Sequence, residues 1–143
     1  MKNPWSQRNL FVKDYIDDNI SIIDFGCGNK EILDFCHPSR YLGIDVVDTA
    51  DLHVDLNLDF KLDEKFDVGL LLGVLEYLKD PDFTLSNIKK FADKFIILSL
   101  IVKKKPEWQR AFTETSIDIL LRNHFKKVTH FRHDSYILSV GEA

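Results

Sequence analysis

Apolar positions along the chain fall into short runs separated by polar, helix-spaced stretches. The runs are Ile20 to Phe25, Tyr41 to Val47, Leu52 to Val54, Phe66 to Leu72 and Phe95 to Val102. The first, fourth and fifth are nearly continuous rather than alternating, which is how strands read when both faces of a parallel sheet are covered. Between them, Asn29 to Cys36, Pro81 to Lys94 and Thr113 to His124 carry helical spacing. In the last, Ile117, Leu120 and Leu121 share one face, with Thr113 as cap and Ser116 beside it. Pro4 to Asp18 predicts a leading helix with proline in its first turn and Trp5, Val12, Tyr15 and Ile16 as its apolar stripe. Lys127 to Arg132 and Ser135 to Val140 alternate instead, predicting a hairpin turned at His133-Asp134. The order is a helix, a series of β/α units and a closing hairpin. It predicts an α/β, Rossmann-like, doubly wound sheet of seven mostly parallel strands, the last of them antiparallel.

Composition narrows the class without naming a chemistry. With 143 residues, 45% apolar and 29% charged, the chain has room for one domain over 1–143, a helix over 1–19 leading into a core over 20–143. The net charge of −4 argues against a nucleic-acid partner, since such proteins neutralise phosphates with a basic surplus. Cys27 and Cys36 form no paired motif, and His53, His124, His130 and His133 show no metal-ligand spacing. No long apolar run follows Met1, and none of 18 residues occurs anywhere, so the expectation is a cytoplasmic protein with neither signal peptide nor membrane span.

Chemistry concentrates where the first run ends, in Asp24-Phe25-Gly26-Cys27-Gly28-Asn29. Two glycines in a turn leaving a strand let a ligand approach the main chain closely. A helix starting at Asn29 would present free N–H groups and a positive dipole end to it. Asp45, seventeen residues after Gly28 at the end of the second run, suits the two hydroxyls of a ribose. Taken alone, Asp45 reads as a strand-end turn residue; the glycine turn upstream favours the ligand.

This D-x-G-x-G turn, an acid ending the second run, Asp55 ending the third and the later stretch Phe66 to Pro81 resemble the class I S-adenosylmethionine-dependent methyltransferases. That last stretch, FDVGLLLGVLEYLKDP, resembles a segment many small-molecule members carry. The resemblance runs from Ile20 to the closing hairpin. It implies S-adenosylmethionine as cofactor, with Asp24, Gly26, Cys27 and Gly28 around its methionine end and Asp45 on its ribose. Asp55 and Leu56 would lie beside the adenine, and Leu72 and Gly73 would form the floor. It also places an acceptor groove at Gly73 to Tyr77, making Glu76 and Tyr77 the candidate catalytic residues, each with a packing role as its plainer reading. The implied acceptor is a small molecule or sugar-like metabolite, and no Asn/Asp-Pro-Pro-Tyr motif of base-methylating enzymes occurs.

Two departures mark this chain. Lys30 stands where a third glycine often completes the turn, and the connection from Leu56 to Lys65 is short, so the helix usual between the third and fourth strands is expected to be missing. They motivate a rival reading, an inactive methyltransferase-like binding or assembly domain. A nicotinamide site would need a third glycine where Glu31 stands, a carboxylate facing a pyrophosphate. Lys103-Lys104-Lys105 with Arg110 reads as a solvated loop or an anion-attracting rim, and Trp5 and Trp108 as packing or as a lid. The small size implies that a second copy or a partner protein helps complete the acceptor site.

Overall fold

The computed structural model describes residues 4–102 and 104–143, with side chains from residue 7 onward. The side chain of Trp5 and all of Lys103, the first of the three lysines, lie outside the described residues. Seven strands form one sheet: β1 (Ser21–Phe25), β2 (Arg40–Asp45), β3 (Leu52–His53), β4 (Phe66–Leu72), β5 (Ala92–Leu100), β6 (Lys127–His133) and β7 (Tyr136–Glu142). Their order is β3-β2-β1-β4-β5-β7-β6, with β7 antiparallel to both its neighbours and every other pairing parallel. Strand order reverses between β1 and β4, the place where an open α/β sheet splits its connections to opposite faces and leaves a crevice.

Helix α1 (Pro4–Val12) packs Val12 on one face, with Ile16, against Ile22, Val68, Leu70, Leu72, Ile96 and Leu98. Helices α2 (Pro81–Ile88) and α3 (Glu114–Arg122) cover the other, setting Leu85, Ile88, Ile117 and Leu121 against Ile23, Phe25, Leu71, Phe95 and Ile97. Both faces of β4 and β5 are thus buried, which is why their sequences read as unbroken apolar runs. The predicted cap of α3 is present as a reciprocal box: Ser116 N donates to Thr113 Oγ1 at 3.1 Å and Thr113 N to Ser116 Oγ at 2.9 Å. Asp80 caps α2 in the same way, accepting from Phe83 N at 3.2 Å, with Pro81 at the first helical position.

Several predicted bounds move. The helix expected over 29–36 is a single 3-10 turn, Glu31–Asp34, squeezed between the positive φ of Lys30 and the extended backbone that Pro38 favours in its predecessor. The leading helix ends at Val12, with a 3-10 turn over Lys13–Tyr15, short of Asp18. The α2 segment gives way at Ala92 rather than Lys94, and β5 starts three residues before the apolar run does. The hairpin turns at Asp134-Ser135, with Asp134 at φ 51°, one residue later than expected. No helix occupies 54–65, as the short connection required.

Candidate active site

A cavity of about 590 Å³ opens at the carboxyl ends of β1, β2 and β4. Asp24, Gly26, Cys27, Gly28, Asp45, Asp55, Leu56, Leu72, Gly73 and Tyr77 all line it, and Glu76 does not. The glycine turn supplies its inner wall. Gly26 sits at φ 79° with its α-carbon so close to Val74 that an added Cβ would lie 2.5 Å from Cγ2, whereas nothing stands within 4 Å of a Cβ built on Gly28. Gly26 is therefore fixed by packing, and Gly28 keeps the wall open toward the cavity.

The turn is stitched to β2 rather than to a helix. Gly26 N and Cys27 N both donate to Ile44 O, at 2.7 and 3.1 Å, and Gly28 N donates to Asp45 Oδ2 at 2.9 Å. Asp45 Oδ1 accepts from Val46 N at 2.7 Å, so the carboxylate is aimed by two backbone donors while still lining the cavity. Because only a 3-10 turn follows, the helix N-terminus expected behind the turn is missing, and its dipole with it.

Asp24 and Arg8 bring ionisable side chains of opposite sign to the cavity. Asp24 is 3% exposed, and burial pushes its carboxyl up to about 6 against the opposing pull of Tyr41, whose hydroxyl donates to Oδ2 at 2.6 Å, and of Arg8. Arg8 reaches in from α1, donating from Nη1 to Leu72 O at 3.2 Å and from Nε to Asn9 Oδ1 at 3.2 Å, and lines the same cavity. Burial lowers the Arg8 guanidinium, and Asp24 is the strongest of the charges that oppose this. The sequence reading missed Arg8; the available signal was a cation set within the apolar stripe of the predicted leading helix, between Trp5 and Val12. Cys27 is a protonated thiol, its ionisation pushed up to about 12 by burial and the neighbouring acids.

At the far wall Asp55 lies two residues beyond β3, not at its end, and accepts from Asn57 N at 2.9 Å and Nδ2 at 3.0 Å. Asn57 Oδ1 in turn accepts from Lys79 N at 2.8 Å, tying this wall to the segment after β4. Leu56 O accepts from Thr84 Oγ1 at 2.8 Å. Tyr77, 46% exposed, presents its ring at the mouth with the edge of Trp108 behind it, 6.4 Å between centroids. Trp108 itself is buried and does not line the cavity, so of the two lid candidates it is a backing group.

Glu76 differs from its expected place. It is 1% exposed, its Oε1 accepts from Leu100 N at 3.2 Å, and its main-chain oxygen accepts from Gln109 N at 2.8 Å. The 3-10 turn Leu75–Tyr77 turns this side chain onto the end of β5, while its main-chain oxygen holds the β5–α3 connection.

Lys30 neither crowds the turn nor enters the cavity: its Nζ meets Asp51 Oδ1 at 2.6 Å, outside the lining residues. Glu31 does line the cavity, as the argument against a pyrophosphate required. Among the described residues no group of three or more His, Cys, Asp and Glu could hold a metal, and no helix is long and apolar enough to cross a membrane.

The sequence matches the model of a methyltransferase domain family over residues 1–136. The chain belongs to that family. Its methyltransferase fold is shared by solved structures of low identity. One is the small RNA methyltransferase HEN1, at 11% identity and TM-score 0.77 over 99% of this chain but 26% of that one. A TehB-like SAM-dependent methyltransferase from Corynebacterium glutamicum aligns at 16% identity and TM-score 0.71, covering 94% of this chain and 85% of that one. The N-methyltransferase NodS from Bradyrhizobium japonicum, solved with S-adenosyl-L-homocysteine, aligns at 18% and 0.67, covering 99% and 88%. The chain thus spans about a quarter of the first and most of the other two. No curated protein sequence matches it.

Proposed function

We propose that this methyltransferase-family chain binds S-adenosylmethionine in the β1–β2–β4 crevice and transfers its methyl group to a small or sugar-like acceptor. The observation that carries the reading is the charge pattern of one cavity: a buried carboxyl, Asp24, and a partly buried guanidinium, Arg8, at one end, with Asp45 held open by two backbone donors further along. A zwitterionic amino-acid tail needs both signs of charge, and a ribose needs an acceptor for its hydroxyls. Asp24 would hold the ammonium, Arg8 the carboxylate and Asp45 the ribose. Asp55 would accept from the adenine amino group, with Leu56, Leu72 and Gly73 as apolar walls. The open face at Gly28 leaves the main chain free for close approach.

When bound, this cofactor supplies a methyl group already activated by a sulfonium. The protein's own task is then alignment of the incoming nucleophile, which alone can account for much of an acceleration. Tyr77, at the mouth, is the residue placed to orient an acceptor or take its proton. Glu76, sealed under the β5–α3 connection, has the position of a positioning residue for that connection. The acidic net charge of −4 and the small cavity suit a metabolite better than a nucleic acid.

The test is transfer of a labelled methyl group from S-adenosylmethionine into a metabolite extract. We expect a labelled small molecule from the wild type, formed on the order of tenfold more slowly by Tyr77→Phe. Absence of any labelled product across extracts, with the cofactor shown to bind, would favour the inactive-domain reading.

A further inference from the structure

The glycine turn of this chain has three residues at positive φ in alternation: Gly26 at 79°, Gly28 at 52° and Lys30 at 60°. The third is a lysine in the left-handed region, which a side chain enters only at some cost. Something must compensate for it, and the contacts of Lys30 show what. Its Nζ meets Asp51 Oδ1 at 2.6 Å, across twenty-one residues, and Asp51 Oδ2 accepts from Gly43 N in β2 at 2.8 Å. The stem of Lys30 crosses β2 where there is no side chain: a Cβ on Gly43 would lie 3.1 Å from Lys30 Cε and 2.9 Å from Cys27 Sγ. A second tie runs beside it, Thr49 Oγ1 donating to Gly28 O at 2.8 Å.

The two segments so joined are the two that face the cavity with Gly26, Cys27 and Gly28 on one side and Asp45, Val46 and Val47 on the other. Strand β2 anchors both, through Gly26 N and Cys27 N on Ile44 O and Asp51 N on Gly43 O at 2.9 Å. Among the described residues no α-helix follows Lys30 directly and none lies between Asp45 and β3, so side chains supply the remaining ties. We propose that Lys30 and Asp51 form a clasp that holds the glycine turn against the β2–β3 loop and so presets the nucleotide half of the cavity for the methyl donor. The inference rests on the donor reading given above and adds to it a positioning pair that touches no ligand. The pair is partly solvent-exposed, with Lys30 at 23% and Asp51 at 38%, so its Coulombic contribution to global stability is small. Its effect is on the order of the turn before the ligand arrives, which is where preorganisation raises affinity.

This gives the clasp a signature that a merely structural ion pair lacks. In Lys30→Gly the left-handed backbone is relieved while the tie is lost, so the melting temperature should hold or rise. S-adenosylhomocysteine, titrated by calorimetry, should nevertheless bind about tenfold more weakly, at the low end of coupling between sites. Asp51→Asn should show the same loss, and Lys30→Arg, which keeps the ion pair, should bind as the wild type does. Hydrogen exchange in the ligand-free Lys30→Gly variant should rise over 26–30 and 46–51 and stay unchanged in β4 and β5. Wild-type affinity in both Lys30→Gly and Asp51→Asn would overturn the clasp while leaving the donor reading intact. A wild type that does not bind S-adenosylhomocysteine at all would overturn the donor reading, and the clasp with it.

Discussion

Two acids, Asp24 near the end of β1 and Glu76 in the 3-10 turn after the neighbouring strand β4, are both buried, yet the fold uses them in opposite ways. Asp24 faces the cavity, with Tyr41 and Arg8 as its company. Glu76 is enclosed under the β5–α3 connection, with one oxygen on Leu100 N and the other, Oε2, without a hydrogen-bond partner among the described residues. Burial raises the pKa of both carboxyls, disfavouring the charged form. A raised carboxyl is therefore no mark of a ligand group by itself. What separates the two regions is whether the desolvated charge has an opening in front of it.

The sharpest break between them comes from Glu76→Ala. Removing a buried carboxyl that ties the turn after β4 to the end of β5 should cost about 2–4 kcal/mol and lower the melting temperature by roughly 10 °C. Affinity for S-adenosylmethionine, measured on the folded variant, should not change. Loss of affinity with unchanged melting would move Glu76 into the site.

Asp45→Ala tests the opposite side. A charge-assisted hydrogen bond to a hydroxyl contributes about 1.5–3 kcal/mol, so affinity should fall by roughly ten- to a hundredfold in calorimetry. Because Asp45 also accepts from Gly28 N and Val46 N, a stability loss of about 1 kcal/mol should accompany it. Undiminished affinity would show that the carboxylate serves the turn alone.

The pH dependence is the subtler signature. Asp24 titrates at about 6 in the folded chain, above the ordinary carboxylate range, so its contribution to stability is fully present below about pH 4 and is lost as pH rises through 6. Binding of an ammonium needs the ionised form, so affinity should move the other way, falling about tenfold between pH 7 and pH 5. Asp24→Asn should flatten the affinity profile over that range. A wild-type profile already flat there would remove Asp24 from the ammonium.

Much of this arrangement was legible in the sequence. Continuous apolar runs marked β1, β4 and β5 because both sheet faces are covered, and Thr113 with Ser116 marked the start of α3 because capping is local chemistry. The glycine turn, Asp45, Asp55, Leu56, Leu72, Gly73 and Tyr77 come to one cavity because strand ends in a parallel sheet converge at the order reversal. Helical spacing over 29–36 misled, since local periodicity does not register that Lys30 and Pro38 leave space for a single turn. Glu76 misled for a different reason. One residue in a 3-10 turn rotates a side chain by a third of a turn, from the cavity to the core, and sequence position cannot resolve that. Arg8 went unseen because its role depends on how α1 crosses the end of β4, a tertiary fact.

The central claim is that the crevice holds S-adenosylmethionine, and a thermal-shift series tests it most directly. A ligand that binds only the folded state adds about 2.7 kcal/mol at a hundred times its dissociation constant. For a chain of 143 residues that should raise the melting temperature by roughly 5–10 °C with S-adenosylmethionine and with S-adenosylhomocysteine. NAD should give no comparable rise, because Glu31 lines the cavity where a pyrophosphate would need donors. A shift with NAD alone, or with none of the three at millimolar concentration, would contradict the account.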